Sequence, residues 1–225
     1  MQDKSKEAAI LRSWHKNVEP WTRAVRESEI RSRVAVSDAA IVNAIIAQSP
    51  KHVLDLGCGE GWLVRALADL GVTAEGVDAV AGLIDRAQQR GGTFSVMSYE
   101  EFAAGAWQQA VDCVACNFSL LGHQLVEDVL AAIAKLINEK GRCVIQTLHP
   151  AYSGEPYCDG WREGSWQGFS EDFSDPAPWY FRTLATWLAM FKSCGLQLEE
   201  LIEPLNAASG SPASIIFVLR GSSRK

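Results

Sequence analysis

The residues best suited to chemistry gather around one glycine turn. Gly57-Cys58-Gly59-Glu60-Gly61 interrupts the apolar run Val53-Leu54-Asp55-Leu56 and is followed by Trp62-Leu63-Val64-Arg65-Ala66-Leu67-Ala68 at helical spacing. Glycines at alternate positions let the backbone turn tightly and come close to a ligand. Dinucleotide sites space their glycines G-x-G-x-x-G and hold pyrophosphate at the next helix N-terminus. Here the spacing is G-x-G-x-G, and Asp55 and Glu60 flank the turn with two carboxylates that would repel a phosphate. A cationic ligand suits it better. S-adenosylmethionine, with a sulfonium, an ammonium and no phosphate, is such a ligand. Asp78, about 20 residues further on, closes a second apolar segment and is placed to accept hydrogen bonds from two ribose hydroxyls. That acid would serve NAD equally, so the glycine spacing and Asp55 carry the choice.

Two histidines add acid–base capacity. His149 ends the apolar run 142–148, and His123 follows the segment Asn117-Phe118-Ser119-Leu120-Leu121-Gly122. Histidine needs little tuning to act near neutral pH. His149 is the preferred general base and His123 the second choice. Cys113 and Cys116 form a CxxC, but they sit in an apolar strand pattern, where residues three apart face opposite ways. No second pair follows at zinc spacing, so no metal is expected.

These groups need strands that end side by side. Short apolar runs at 53–56, 72–78, 93–97, 110–117 and 142–148 alternate with helical patterns at 62–70, 79–90 and 124–138. That alternation predicts a parallel sheet with helices on both faces, and a ligand crevice at the carboxyl ends of its strands. VLDLGCGEG followed by GVDAV resembles the class I S-adenosylmethionine-dependent methyltransferases, over about residues 51–148 and extending to Arg220. Within that family it resembles the small-molecule branch, similar to ubiquinone-biosynthesis-type methyltransferases. The resemblance implies a Rossmann-like, doubly wound α/β sheet of seven strands in order 3-2-1-4-5-7-6, the last strand antiparallel. The two consecutive strands at 196–202 and 214–219 agree with that ending.

The resemblance also implies roles. Asp55, Gly57, Cys58, Gly59 and Gly61 form the cofactor turn, Asp78 the ribose site, and Ala79 packs on the adenine. An acid near the adenine amino group is common after the third strand. Here Ser98 stands in its place, so contacts are expected from Met97, Ser98 and Tyr99, with Ser98-x-x-Glu101 doubling as a helix capping box. Asn117 and Phe118 close the fourth strand beside the methyl group. The sequence lacks the Asn-Pro-Pro-Tyr of nucleic-acid and protein amide methylases. An arginine before the third N-terminal helix is expected to hold the methionine carboxylate, and Arg33 fits by position.

The chain of 225 residues is long enough for one domain, and 48% hydrophobic content supplies a core. We divide it into a helical cover (1–48), a cofactor-binding core (49–148), an insertion (149–181) and a C-terminal helix with a strand pair (182–220). Within the cover, Ala8, Ile10, Leu11 and Trp14 are expected to face inward, and Ser37 to cap a helix from Ala39. In the last helix Leu188, Met190 and Phe191 are the core candidates. A net charge of −6 argues against a nucleic-acid partner. No run reaches membrane-spanning length. Residues 1–6 lack an apolar signal core, so a cytoplasmic protein with free thiols is expected.

Residues 151–180 carry six acids, one arginine and eight aromatic residues without periodicity. This is too long for an ordinary connection. It reads as a lid or substrate pocket, or else a structural flap or homodimer contact. Trp21, Leu121, Tyr157 and Trp161 are the expected substrate contacts, with Glu155 and Asp159 available to a cationic acceptor. The expected function is in-line methyl transfer to a small molecule. The alternatives are a binding module without activity and, less favoured, an NAD-dependent oxidoreductase.

Overall fold

The computed structural model describes residues 2–137, 140–154 and 156–221. The N-terminal helices are α1 (Gln2–Lys16), α2 (Val18–Arg26) and α3 (Asp38–Ile46). The core follows: β1 (His52–Leu56), α4 (Trp62–Asp69), β2 (Thr73–Asp78), α5 (Ala81–Gln88), β3 (Thr93–Val96), α6 (Tyr99–Ala103), β4 (Cys113–Asn117), α7 (Gln124–Leu136) and β5 (Arg142–Thr147). A hairpin of β6 (Gly160–Arg162) and β7 (Trp179–Phe181) forms within the insertion. The chain ends in α8 (Leu184–Ser193), β8 (Leu196–Ile202) and β9 (Ile215–Gly221).

The main sheet has the order β3-β2-β1-β4-β5-β9-β8. β1 to β5 are parallel to one another, and β9 runs antiparallel to both β5 and β8. This is the expected topology. Strand side chains alternate between two cores, as pleating requires. On one face Leu54, Leu56, Val114, Cys116 and Ile145 pack with α7 and α8. On the other Val53, Cys113, Ala115 and Val144 pack with α3, α4 and α5. The CxxC is thereby split between the two faces, so its thiols cannot share a ligand. Because β1 and β4 are adjacent while their connections leave in opposite directions, a crevice opens beyond their carboxyl ends.

Three local expectations are corrected. Ser37 does not cap α3: the chain arrives already helical through a π-helical turn at Arg33–Ser37, and Ser37 has αR dihedrals and no capping bond. In α1, Ala8 and Leu11 are exposed, while Ser13 and Asn17 are buried. That helix meets a polar loop rather than the apolar core. In α8, Leu188 faces out, and Trp187 takes its place beside Met190 and Phe191. Among the described residues no helix is long and apolar enough to cross a membrane.

Candidate functional site

Gly57, Gly59 and Gly61 all have positive φ, at 82°, 56° and 84°. Side chains are excluded there as well as strained. A Cβ on Gly57 would lie 2.5 Å from Ser119 Cβ, and one on Gly61 would lie 2.4 Å from the Phe94 ring. The turn is fixed from β2: the Val77 carbonyl accepts from the Gly57 and Cys58 amides at 2.8 and 3.0 Å. Asp78 completes the clamp, its carboxylate accepting from the Gly59 amide and the Val80 amide, each at 2.9 Å. Ala79 lies between these partners, half-buried. Burial raises the Asp78 pKa, opposed by its backbone donors.

Asp55 is buried, and its Oδ1 has no hydrogen-bond partner. Burial and the neighbouring Asp78 push its pKa up to about 8. It is therefore mostly protonated at neutral pH until a cation approaches. Glu60 is also buried, but its carboxylate is held by Arg65 Nη2 at 2.6 and 2.8 Å and by Arg26 Nε at 3.0 Å. The repulsion expected from two free carboxylates is corrected accordingly. Glu60 is neutralised by α2 and α4, and Asp55 is held mostly neutral by burial and by Asp78. Cys58 is buried, and desolvation, followed by the charges of Asp55 and Asp78, raises its pKa.

The cover reaches the turn through Trp21 and Arg33. Trp21 Nε1 is 3.5 Å from where a Cβ on Gly59 would stand. Arg33 is buried with its guanidinium 4.8 Å from the centre of the Trp62 ring and 5.8 Å from that of Trp21. Its Nε donates to Asp38 at 2.9 Å, and its Nη1 is buried without a partner. Asp55, just before the glycine turn, has an unsatisfied buried acceptor, and Arg33, resting on Trp62 just after it, has an unsatisfied buried donor. Such atoms are rare in folded proteins. They fit a ligand with an ammonium and a carboxylate.

On the β3 side, Ser98 forms the capping box with Glu101. Met97 is half-buried, its amide on the Asp78 carbonyl at 3.0 Å. Tyr99 turns inward, its hydroxyl donating to the Ser119 carbonyl at 3.1 Å. It links the ends of β3 and β4 beneath the turn, leaving its ring little freedom to stack on a ligand. On the β4 side, Phe118 has φ of 52°, a strained setting for a bulky residue. The Gln146 carbonyl fixes its amide at 2.8 Å, and Gln146 Nε2 donates to Asn117 Oδ1 at 2.9 Å. Ser119 Oγ donates to the Leu56 carbonyl at 2.8 Å, tying β4 to β1. Gln146 was legible as a polar residue inside an apolar strand; Ser119 had no such signal.

The two histidines differ. His149 Nδ1 accepts from the Ala151 amide at 3.2 Å, and Nε2 meets Glu203 Oε1 at 2.6 Å. Both ring nitrogens are committed, so this histidine braces the start of the insertion and offers no free lone pair. His123 stacks on Tyr180 with centroids 4.0 Å apart, and among the described residues its ring is hydrogen-bonded through Nδ1 alone, to Asp3 at 3.2 Å. Hydrogen bonds from Trp161 and His123 lower the Asp3 pKa.

The insertion wraps the cover. Lys6 pairs with Glu163 at 2.6 Å, Arg23 with Asp172 at 2.6 Å, and Lys16 with Asp175. Asp159 accepts from the Thr183 amide at 2.8 Å and from the Thr186 hydroxyl at 2.6 Å, capping α8. Glu163, Asp172 and Asp175 thus serve the protein's own cations and Asp159 a helix end, while Glu155 lies outside the described residues. Trp161 donates to Asp3 at 2.8 Å and packs edge-on against Tyr180. Tyr157 accepts from the Leu184 amide at 3.0 Å and is exposed, away from the glycine turn's partners. Leu121, with Phe118, lines a narrow cavity whose other walls include Trp179 and Phe181 of the hairpin.

The model of a family described as a methyltransferase domain matches residues 29–201. The chain belongs to that family. A malonyl-[acyl-carrier protein] O-methyltransferase of Anoxybacillus flavithermus is 30% identical over 109 residues, 46% of this chain and 41% of that protein. A ubiquinone biosynthesis O-methyltransferase of Thiobacillus denitrificans is 35% identical over 105 residues, 44% of this chain and 45% of that protein. The matched stretch spans less than half the length of these curated relatives. The 1,6-didemethyltoxoflavin-N1-methyltransferase of Burkholderia thailandensis, solved with its substrate and S-adenosylhomocysteine, superposes with a TM-score of 0.68 over 98% of this chain and 91% of that one. At 16% identity this likeness is one of fold. The methyltransferase match begins after α2 and stops before β9, so the first two helices of the cover lie outside it.

Proposed function

We propose that this methyltransferase-family protein transfers a methyl group from S-adenosylmethionine to a small-molecule acceptor. The observation that carries the reading is the pair of unsatisfied buried atoms flanking the glycine turn, Asp55 Oδ1 and Arg33 Nη1. When bound, the cofactor supplies an electrophilic methyl carbon on a sulfonium. The chain's own residues then have three tasks. Asp78 accepts ribose hydroxyls from a position already set by the Gly59 and Val80 amides. Arg33 meets the amino-acid carboxylate while Asp55 meets the ammonium and gives up its proton. Phe118, Leu121 and the hairpin aromatics exclude water and align the acceptor.

The bound cofactor would supply a thioether leaving group that keeps the bonding electron pair. No proton is needed by the leaving group. An ionised acceptor needs no base; a neutral hydroxyl does. His123 is then the better candidate, because Asp3 holds Nδ1 and leaves Nε2 for a proton. His149 acts as a brace. The names of the curated relatives favour oxygen as the acceptor atom. A cytoplasmic setting is proposed with this reading, supported by the six free cysteines.

Titration calorimetry with S-adenosylhomocysteine, with NAD as control, tests the cofactor assignment. Micromolar binding of the first and none of the second is expected. Binding of NAD instead would transfer the site to oxidoreductase chemistry.

A further inference from the structure

Beyond the glycine turn, one cation stands out. Arg182 follows β7 and is only 3% exposed. Its Nη2 donates to the His123 carbonyl at 2.8 Å, and its Nη1 is buried with no hydrogen-bond partner. Among the described residues it forms no ion pair, unlike Arg23, Arg26, Arg33, Arg65, Arg86, Arg142 and Arg220. Instead its guanidinium lies 4.9 Å from the centre of the Tyr180 ring and 5.1 Å from that of Trp187. Aromatic faces hold a cation but leave the guanidinium edge open for bonding in its own plane.

Arg182 lines the same cavity as Phe118 and Leu121, at the carboxyl ends of β4 and β5. The remaining walls include Thr147, Trp179 and Phe181, and no acidic side chain contributes to them. Burial lowers the Arg182 pKa to about 10, opposed by Tyr180 and by the charges of Glu127, Asp159 and Glu7, three acids that do not line the cavity, so the group is still protonated at neutral pH. A buried, unpaired cation is costly to keep. In an apolar pocket beside the expected methyl position, its natural complement is an anion brought by the ligand. A carboxylate matches the planar fork best.

We propose that this cavity is the acceptor pocket and that Arg182 is its specificity-determining residue, selecting methyl acceptors that carry a carboxylate on an apolar or aromatic body. The proposal rests on the methyltransferase reading and replaces the earlier expectation of a cationic acceptor. Of the two acids behind that expectation, Asp159 is spent on capping α8 and Glu155 lies outside the described residues, whereas Arg182 keeps an unpartnered donor.

The test uses the full-length protein saturated with S-adenosylhomocysteine, titrated with three acids and their own amides. The pairs are benzoate and benzamide, phenylacetate and phenylacetamide, and hexanoate and hexanamide. At least one acid should bind tenfold or more tighter than its amide. Arg182→Gln should erase that preference and leave S-adenosylhomocysteine affinity within twofold. Should that variant not fold, Leu121→Trp, which fills the cavity, should block the acid while the cofactor product still binds. If no acid is preferred in protein that binds S-adenosylhomocysteine, the pocket assignment is overturned and the cofactor reading stands. A preference that survives Arg182→Gln overturns it as well. If S-adenosylhomocysteine does not bind, the cofactor reading falls. The same pairs titrated into the free protein then decide the anion site by the same criterion.

Discussion

Asn17 reads both backbone groups of Ser174. Its Oδ1 accepts from the Ser174 amide at 3.0 Å, and its Nδ2 donates to the Ser174 carbonyl at 2.7 Å. A side-chain amide thus imitates one rung of a β-ladder between the cover and the insertion. Three ion pairs surround this clasp, but they are largely exposed, and such pairs contribute little each. The buried amide is therefore the specific link. Asn17→Leu should loosen residues 163–176 and cost about 1–3 kcal/mol through the unsatisfied partners left behind. Limited proteolysis and denaturant unfolding measure the two effects. Unchanged cleavage in this segment would remove the clasp from the account.

Asp78 holds the turn and is the expected ribose acceptor, so its loss is felt twice. Asp78→Ala should weaken S-adenosylhomocysteine binding at least tenfold, because two charge-assisted hydrogen bonds of about 1.5–3 kcal/mol each disappear. Calorimetry reads this directly. Affinity equal to wild type would reject the ribose role.

Asp55 predicts a pH dependence with a definite sign. Its pKa in the folded, free protein is raised to about 8. The folded state therefore holds more protons than the unfolded chain between about pH 4 and pH 8, and on this account stability falls as pH rises through that window. A cationic ligand beside Asp55 favours the carboxylate. Binding of S-adenosylhomocysteine at pH 7 should then release about one proton and tighten towards pH 8. Calorimetry in buffers of different ionisation enthalpy counts that proton. Proton uptake, or no exchange at all, would place the ammonium elsewhere.

The histidines separate by outcome. His149→Ala removes the Ala151 cap and should cost about 1 kcal/mol of stability with little change in turnover. His123→Ala should leave S-adenosylhomocysteine affinity intact and slow methylation of a neutral hydroxyl acceptor by about 10²-fold or more. Unfolding curves and single-turnover rates for both variants decide between brace and base. A turnover defect confined to His149→Ala would reverse the assignment.

Much of this molecule is legible along the chain. The glycine turn, Asp78, the alternation of strands and helices and the closing strand pair are local patterns. A period or a spacing of a few residues fixes each of them, and local sterics enforce it. The capping box at Ser98 and Glu101 is legible for the same reason. The chain could not reveal which charged groups are spent. Glu60 stands in the motif, yet its charge is cancelled by Arg65 of the following helix together with Arg26, which arrives on a separate helix. His149 follows the end of β5 as expected, yet Glu203, just past β8, takes its second nitrogen. Arg182 is unremarkable in sequence, and only folding buries it without a carboxylate. The sequence by itself determined where a cofactor turn and its sheet would form, because backbone geometry is a local property. Only the tertiary structure decided which acids, bases and cations remain available to a ligand, because pairing and desolvation depend on residues brought together from far apart in the chain.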